Sequence, residues 1–207
     1  MDKKIIVISP PEVLRNEKER VEELMEAGLD YFHVRKPGYK PGDTEQYLNQ
    51  YSLDVRQKMI LHHHYELAEK YELRGIHITE KNKNRGYERV YAHRQISVSC
   101  HRPEELEDLD RDYAYAFLSP VMDSLSKQNY AAAFRLDGLK NFLLNNKDLP
   151  PVIALGGIHP GSVTKIQGMG FSGIALLGAI WPELSNLSDT RSPLENFMQM
   201  KDLVKRL

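Results

Sequence analysis

Eight short apolar runs, distributed along the whole of the 207-residue chain, constrain its fold more than any other feature. Each run is apolar at consecutive positions instead of alternate ones, which is typical of parallel strands that are covered on both faces. The runs are Ile5–Ile8, Tyr31–Val34, Met59–Leu61, Gly75–Ile78, Ile96–Cys100, Tyr113–Leu118, Val152–Leu155 and Ile174–Leu177.

Segments with helical spacing of apolar residues separate most of these runs. Glu17–Ala27 ends before Gly28, a common helix stop, and Thr44–Lys58 is predicted as one longer helix. Strands that alternate with helices predict a parallel sheet, and eight strands are the number that closes a barrel. We therefore predict an α/β fold, a single compact (β/α)8 or TIM barrel over residues 1–207. An open doubly wound sheet is the alternative.

Composition limits the partners of such a barrel. The chain has 28 Lys and Arg against 29 Asp and Glu, a net charge of -1, so no global field favours nucleic acid or an anionic membrane. Cys100 is the single cysteine, and the apolar run Ile5–Ile8 is too short for a signal peptide or a membrane span. We expect a cytoplasmic protein that uses neither nucleic acid nor membrane as a partner, and in which any anion site is local.

Active sites of (β/α)8 barrels lie where the strands end at their carboxyl side. That rule selects candidate residues after every strand from the second to the eighth. The candidates are His33, Arg35, His62, His64, Glu80, Ser99, His101, Ser124, Ser126, Lys127, Gly156, Gly157, Leu177 and Gly178.

Two glycine-containing strand ends indicate a phosphate site. Gly156 and Gly157 follow the seventh run, and Leu177 and Gly178 close the eighth. Glycine lets backbone N–H groups approach an anion closely, and the loops after strands seven and eight are the usual phosphate site of this fold. The alternative is that these glycines only form tight turns.

The histidine candidates have more than one interpretation. On a continuous strand His62 and His64 would share one face, where they could line the pocket, cap the strand end or, with further ligands, hold a metal. His101 could exchange protons near neutral pH or be a structural histidine. Lys127, beside Ser124 and Ser126, could bind an anionic group or be a solvated surface lysine.

At these positions the chain resembles the thiamine phosphate synthase/TenI superfamily, over nearly its whole length. The elements that carry the resemblance occur in the family's order, although the lysine of the first is displaced by one residue. They are His33-Val34-Arg35-Lys36, Gly75-Ile76-His77-Ile78, Ser99-Cys100-His101, Ser119-Pro120 with Ser124-Leu125-Ser126-Lys127, Gly156-Gly157-Ile158 and Gly178-Ala179-Ile180.

The resemblance implies a small-molecule enzyme of thiamine biosynthesis. The synthases join a pyrimidine methyl pyrophosphate to a thiazole phosphate with the help of magnesium, and the TenI-like tautomerases isomerise a thiazole phosphate carboxylate without a metal or other cofactor. By the match, Gly157, Leu177 and Gly178 would hold the thiazole phosphate. Arg35, Ser126 and Lys127 would hold the pyrophosphate of a synthase. A second copy of the chain, in a homodimer, is a further candidate partner.

Two departures from the synthase pattern favour the tautomerase. The synthases carry magnesium-binding aspartates after strand three and strand four, where this chain has His62-His63-His64 and Asn82. Magnesium prefers carboxylate oxygens, which leaves Glu80 and Asn82 as the candidate ligands if the metal is used. The sequence therefore predicts first a tautomerase with His101 as the proton carrier, and second a synthase. A non-catalytic binder of thiazole or thiamine phosphates and an unrelated sugar-phosphate isomerase are further hypotheses.

Overall fold

Eight parallel strands close into a barrel in chain order, so that the last strand pairs with the first. The computed structural model describes residues 3–83, 85–109, 112–122, 136–184, 191–205 and 207. The strands are β1 Lys4–Ile8, β2 Tyr31–Val34, β3 Met59–Leu61, β4 Gly75–Ile78, β5 Gln95–Cys100, β6 Tyr115–Leu118, β7 Val152–Leu155 and β8 Gly173–Leu176. The predicted TIM barrel is confirmed, and each predicted strand lies within two residues of an observed one.

Short helices connect the strands on the outside of the barrel. Within the described ranges they are α1 Glu17–Glu26, α2 Pro41–Asn49, α3 Leu53–Arg56, α4 Leu67–Lys70, α5 Tyr87–Val90, α6 Leu136–Asn145, α7 Pro160–Val163 and α8 Pro193–Val204. Single 3-10 turns cover Glu80–Asn82, Pro103–Leu106, Thr164–Ile166 and Pro182–Leu184. None of the described helices is both long enough and apolar enough to cross a membrane.

The prediction of one helix over Thr44–Lys58 is wrong. The chain forms α2, then leaves the helix so that Ser52 adopts an extended conformation (φ -65°, ψ 163°) before α3 begins. Serine is favoured at such a helix start. The buried Tyr51 lies in the break, and its hydroxyl donates a hydrogen bond to the Tyr47 hydroxyl of α2 at 3.1 Å.

Apolar side chains fill two separate layers. The larger lies between strands and helices, and the smaller fills the inside of the barrel with Ile6, Ile8, Ile60, Tyr115, Phe117, Ile153 and Ala175. Burial of this kind stabilises the fold in proportion to the apolar area removed from water. The ring of Phe117 packs against the rings of His33 and His77, with centroids 4.8 Å away in both cases. A polar layer therefore lies directly on the apolar interior.

Closure of the barrel requires close approach of two backbones at β8. Gly173 is paired with Lys4 of β1, and a Cβ atom added to Gly173 would lie 2.2 Å from the Lys4 carbonyl oxygen. The strand backbone of β1 thus occupies the space of a side chain. Residues larger than glycine would push the first and last strands apart.

We expect Gly173→Ala to lower the free energy of unfolding by about 1 to 3 kcal/mol, the usual range for overpacking a rigid site. Chemical denaturation measures it. Gly138→Ala in α6 is the matched control, because its added Cβ meets nothing within 4 Å. The control should be stabilising by about 0.5 to 1 kcal/mol, since alanine is the better helix former. Equal stability of Gly173→Ala and wild type would contradict this account of closure.

Candidate active site

The ends of β7 and β8 lie side by side at one rim of the barrel. The two strands pair in parallel with Leu155 opposite Ala175, so the glycines that follow each strand emerge together. Gly156 and Gly157 both have left-handed backbone conformations, with φ of 89° and 64°. A Cβ atom on Gly156 would lie 2.9 Å from the Pro120 Cα atom, so the turn also packs against the end of β6. Glycine is the residue that fits both requirements.

Backbone N–H groups at this rim are available to a ligand. Among the described residues, neither the Gly157 N–H nor the Gly178 N–H has a hydrogen-bond acceptor. The Leu177 carbonyl points away from the rim into the following turn, where it accepts hydrogen bonds from the N–H groups of Ile180 and Trp181 at 3.0 and 3.2 Å. The exposed Gly178 therefore lies in the first turn of a short helical segment, where N–H groups are unpaired and attract anions.

Trp181 fixes this turn in place, a role for which the sequence carries no specific signal. Its fully buried indole donates a hydrogen bond from Nε1 to the Ile8 carbonyl oxygen at 2.8 Å. Ile8 is the last residue of β1. This hydrogen bond links the turn after β8 to the end of β1, across the closure of the barrel.

His101 lies at the end of β5 with one ring nitrogen held by the backbone. Its Nδ1 atom is 2.8 Å from the Ser119 carbonyl oxygen, which can only accept a hydrogen bond. The proton of a neutral ring is therefore on Nδ1, and Nε2 keeps its lone pair. The side chain is exposed, so Nε2 of His101 can accept a proton from a bound ligand.

Other candidates bind each other inside the barrel instead of facing open space. His33 and His62 are joined by a 2.9 Å hydrogen bond between Nδ1 and Nε2, and the Nε2 atom of His33 lies 2.7 Å from the Tyr115 hydroxyl. Ser99 contacts His77, whose Nε2 atom is 2.8 Å from the Ser99 Oγ atom. The sequence places His77 at the end of β4, in the Gly75-Ile76-His77-Ile78 element, but assigns it no role in the site.

The three buried histidines are held in their neutral form. Burial lowers the pKa of His33 and His62 well below the usual value of 6.5 and that of His77 to about 3. The positive charge of Arg35 lowers the pKa of His62 and His77 further. Arg35 directly follows the last residue of β2 and is exposed, so it lies at this rim of the barrel. Ser9 fixes its backbone by accepting a 2.8 Å hydrogen bond from the Arg35 N–H.

Lys36 does not join Arg35 at the mouth. Its Nζ atom lies 2.8 Å from the Glu17 Oε1 atom, and both side chains are only 2% exposed. The Tyr47 hydroxyl donates to the same carboxylate oxygen at 2.7 Å. Burial lowers the pKa of Lys36 although Glu17 acts in the opposite direction. The displaced lysine of the first family element is thus part of the packing between α1, α2 and the barrel.

His64 does not join His62 in the barrel interior. His64 is in a left-handed conformation with its Nε2 atom 2.8 Å from the Tyr39 carbonyl oxygen, so it does not share a face with His62. The chain leaves the strand after Leu61, and strand alternation no longer applies beyond that residue. Ser124, Ser126 and Lys127 lie outside the described residues.

The residues at the implied magnesium positions do not fit that ion. Asn82 donates its side-chain amide to the Tyr65 hydroxyl at 3.0 Å and lines a cleft of about 310 Å³ together with His63. Glu80 is exposed and lies 2.7 Å from the ammonium group of Lys83, which also pairs with Glu105. Magnesium requires hard oxygen ligands in octahedral geometry. An imidazole and an amide at these two positions are a poor substitute for two aspartates.

We expect the buried histidine layer, which consists of His33, His62 and His77, to make the protein less stable in mild acid. The pKa values of these histidines in the folded protein lie below the pKa of a histidine in the unfolded chain. As the pH falls below 6.5, the unfolded state therefore binds more protons than the folded state. The free energy of unfolding should be largest above pH 6.5 and fall below it, by up to about 1.4 kcal/mol per pH unit for each histidine. Denaturant titrations between pH 7.5 and 5 measure the slope. His77→Gln should flatten it, and a wild-type slope of zero would contradict the buried neutral state.

Comparison with known proteins places this geometry in a family. A family model described as "Thiamine monophosphate synthase" matches residues 5–180. A thiamine-phosphate synthase of Bacteroides fragilis strain YCH46 is 27% identical over 177 residues, which cover 81% of this chain and 86% of the relative. That of Limosilactobacillus reuteri is 25% identical over 198 residues, which cover 90% and 87%.

Solved structures agree with the sequence match. The thiamine phosphate pyrophosphorylase from Bacteroides thetaiotaomicron superposes with a TM-score of 0.79 at 28% identity, covering 97% of this chain and 96% of that one. The corresponding protein from Pyrococcus furiosus has a TM-score of 0.75 at 19% identity, covering 97% and 96%, a likeness of fold alone. Since the family match runs from β1 to the turn after β8, this chain belongs to the thiamine monophosphate synthase/TenI family.

Proposed function

We propose that this protein is a thiamine-phosphate synthase that joins a pyrimidine methyl pyrophosphate to a thiazole phosphate. The observation that carries the proposal is the pair of unpaired N–H groups at Gly157 and Gly178, on the rims of adjacent strands. The names of the relatives support the synthase over the tautomerase that the sequence alone puts first.

Binding of the thiazole phosphate at the β7–β8 rim accounts for the first step. Phosphate oxygens accept hydrogen bonds from Gly157, Gly178 and the neighbouring helical turn, where the backbone dipoles favour negative charge. These groups hold a part of the substrate that does not react. Their binding energy orients the thiazole ring towards the centre of the mouth and lowers the entropic barrier to bond formation.

The pyrophosphate end of the second substrate requires positive charge. Arg35 supplies it at the mouth, and a guanidinium can bind phosphate oxygens through two parallel hydrogen bonds. The resemblance implies that Lys127, with Ser124 and Ser126, holds the same pyrophosphate. Because the magnesium positions lack carboxylates, these cationic side chains offset the charge of the leaving pyrophosphate directly.

The bond changes of this reaction need no proton transfer by the protein. The lone pair of the thiazole nitrogen forms a C–N bond to the pyrimidine methylene carbon. The C–O bond to pyrophosphate breaks and its electron pair leaves with the pyrophosphate. The protein positions the two rings and stabilises the charge that develops on the leaving group.

A second candidate, the tautomerase, is favoured by one specific observation. The Ser119 carbonyl fixes the His101 proton on Nδ1, which leaves Nε2 as an exposed base near the rim. A base in that state could move a proton between two positions of a thiazole phosphate carboxylate without any metal. The two candidates share the phosphate site and differ in the second substrate.

Gly178→Asp tests the phosphate site. The position is exposed and a Cβ atom there meets nothing within 4 Å, so the added carboxylate changes the local charge without a clash. We expect KM for the thiazole phosphate to rise at least about tenfold, equivalent to about 1.4 kcal/mol of lost binding, with unchanged thermal stability. Gly138→Asp on the exposed side of α6 is the matched control and should leave KM unchanged. An unaltered KM in Gly178→Asp would remove the β7–β8 rim from the proposal.

An assay with both substrates separates the two candidates. Wild-type protein with thiazole phosphate and pyrimidine methyl pyrophosphate should release pyrophosphate, and the rate should persist when EDTA removes magnesium. His101→Ala should retain this activity, because the synthase step uses no protein base. The tautomerase would be selected by a different pair of results. Wild-type protein would then isomerise the thiazole phosphate carboxylate and release no pyrophosphate, and His101→Ala would lose the isomerisation. Tight binding with no turnover in either assay would select a non-catalytic binder.

A further inference from the structure

The histidine layer of the barrel interior is not used by the proposed reaction. His33, His62 and His77 come from the ends of β2, β3 and β4, three neighbouring strands, and their side chains all point inward. They are 0%, 4% and 1% exposed, and their ring centroids are 4.3 to 5.3 Å apart. Three imidazoles at this depth are unusual, because an apolar side chain would fill the same layer without any polar group to satisfy.

Each of the three rings brings one nitrogen atom close to those of the others. One ring nitrogen of each histidine lies within 4.8 Å of those of the other two. All three rings are neutral at neutral pH, since burial lowers their pKa values. Neutral imidazole is the form that ligates a metal ion.

Groups around the layer fix the outer nitrogens of two of these rings. The Tyr115 hydroxyl is 2.7 Å from the His33 Nε2 atom, and the Ser97 hydroxyl is 2.9 Å from the His77 Nδ1 atom. If each outer nitrogen donates its N–H to that oxygen, His33 Nδ1 and His77 Nε2 are left as lone pairs. Histidine ligands of metal ions have this kind of partner on the second ring nitrogen, which fixes the tautomer and the ring orientation.

The three nitrogens must adjust their spacing to accept an ion. His33 Nδ1 and His62 Nε2 are 2.9 Å apart. Two ligands of a tetrahedral zinc ion, each at about 2.0 to 2.1 Å, are separated by about 3.4 Å. Ion binding opens this pair by about half an ångström, releases Ser99 from His77, and draws the His77 nitrogen, which lies within 4.8 Å of the other two, to the same separation.

We propose that His33, His62 and His77 form an interior three-histidine site for a borderline transition-metal ion of the Zn²⁺ class. Nitrogen ligands favour zinc, copper or nickel over magnesium. The mouth of the barrel does not suit magnesium either, because the implied magnesium positions lack aspartates. Three protein ligands leave a fourth position open. The nearby positive charge of Arg35 favours an anion there, so a hydroxide or a phosphate oxygen is the expected fourth ligand.

Metal uptake by tag-free protein tests the site directly. Protein stripped with a chelator and dialysed is titrated with Zn²⁺ and with Co²⁺, with metal content measured by plasma mass spectrometry. We expect one tightly bound ion per chain, a rise in melting temperature with Zn²⁺, and visible absorption bands of tetrahedral Co²⁺. Uptake well below one equivalent by wild type, or cobalt spectra of the hydrated octahedral ion, would overturn the proposal. Neither readout requires a substrate.

Variants assign the ion to these residues. His33→Gln and His77→Gln each remove a ligand and should weaken Zn²⁺ binding at least about 100-fold. Ser97→Ala keeps all three ligands and should weaken it about 10- to 100-fold, which keeps the test informative if a ligand variant fails to fold. His93→Gln is the control, because His93 is exposed and pairs with Glu69 outside the barrel. Loss of Zn²⁺ uptake in His93→Gln would contradict the assignment. So would Zn²⁺ uptake that is unchanged in His33→Gln, His77→Gln and Ser97→Ala.

Discussion

Pairing of the first strand with the last is the constraint on which the rest of the structure depends. It exists because Gly173 lets the backbone of β8 approach that of Lys4 in β1. A closed parallel barrel brings the carboxyl ends of all its strands to one rim, so residues far apart in sequence face a common mouth. The same closure is reinforced at that rim by the hydrogen bond from the Trp181 indole to the Ile8 carbonyl. The turn after β8 therefore has a fixed position relative to the rest of the barrel.

The two sides of the mouth differ in chemistry. The β7–β8 side offers backbone N–H groups and no side-chain charge at Gly157 and Gly178, which suits a phosphate group. The β2–β4 side carries the buried imidazoles of His33, His62 and His77, with the exposed Arg35 at the end of β2. This division explains how family membership and a departure from the metal site occur in one chain. It also separates the proposed phosphate site, which rests on backbone geometry, from the proposed histidine site, which rests on side chains.

The barrel could be predicted from sequence because its strands are continuous apolar runs, and the glycines after Leu155 marked the rim correctly. Helix boundaries were harder, since the break between α2 and α3 depends on how Tyr51 packs against Tyr47 in the folded core. The partner of Lys36 could not be predicted either, because Glu17 meets it only when α1 packs on the barrel. Likewise, the contact between His33, His62 and His77 depends on the register of three strands. No pattern within one segment contains that information.

Titration of ¹⁵N-labelled protein with thiazole phosphate, followed by amide NMR spectra, tests the central claim most directly. The claim is that the adjacent ends of β7 and β8 bind the phosphate through backbone N–H groups. The account predicts saturable downfield shifts of the Gly157 and Gly178 amide protons with thiazole phosphate, and none with the unphosphorylated thiazole alcohol. Shifts confined to other parts of the chain, or equal responses to the two ligands, would contradict it.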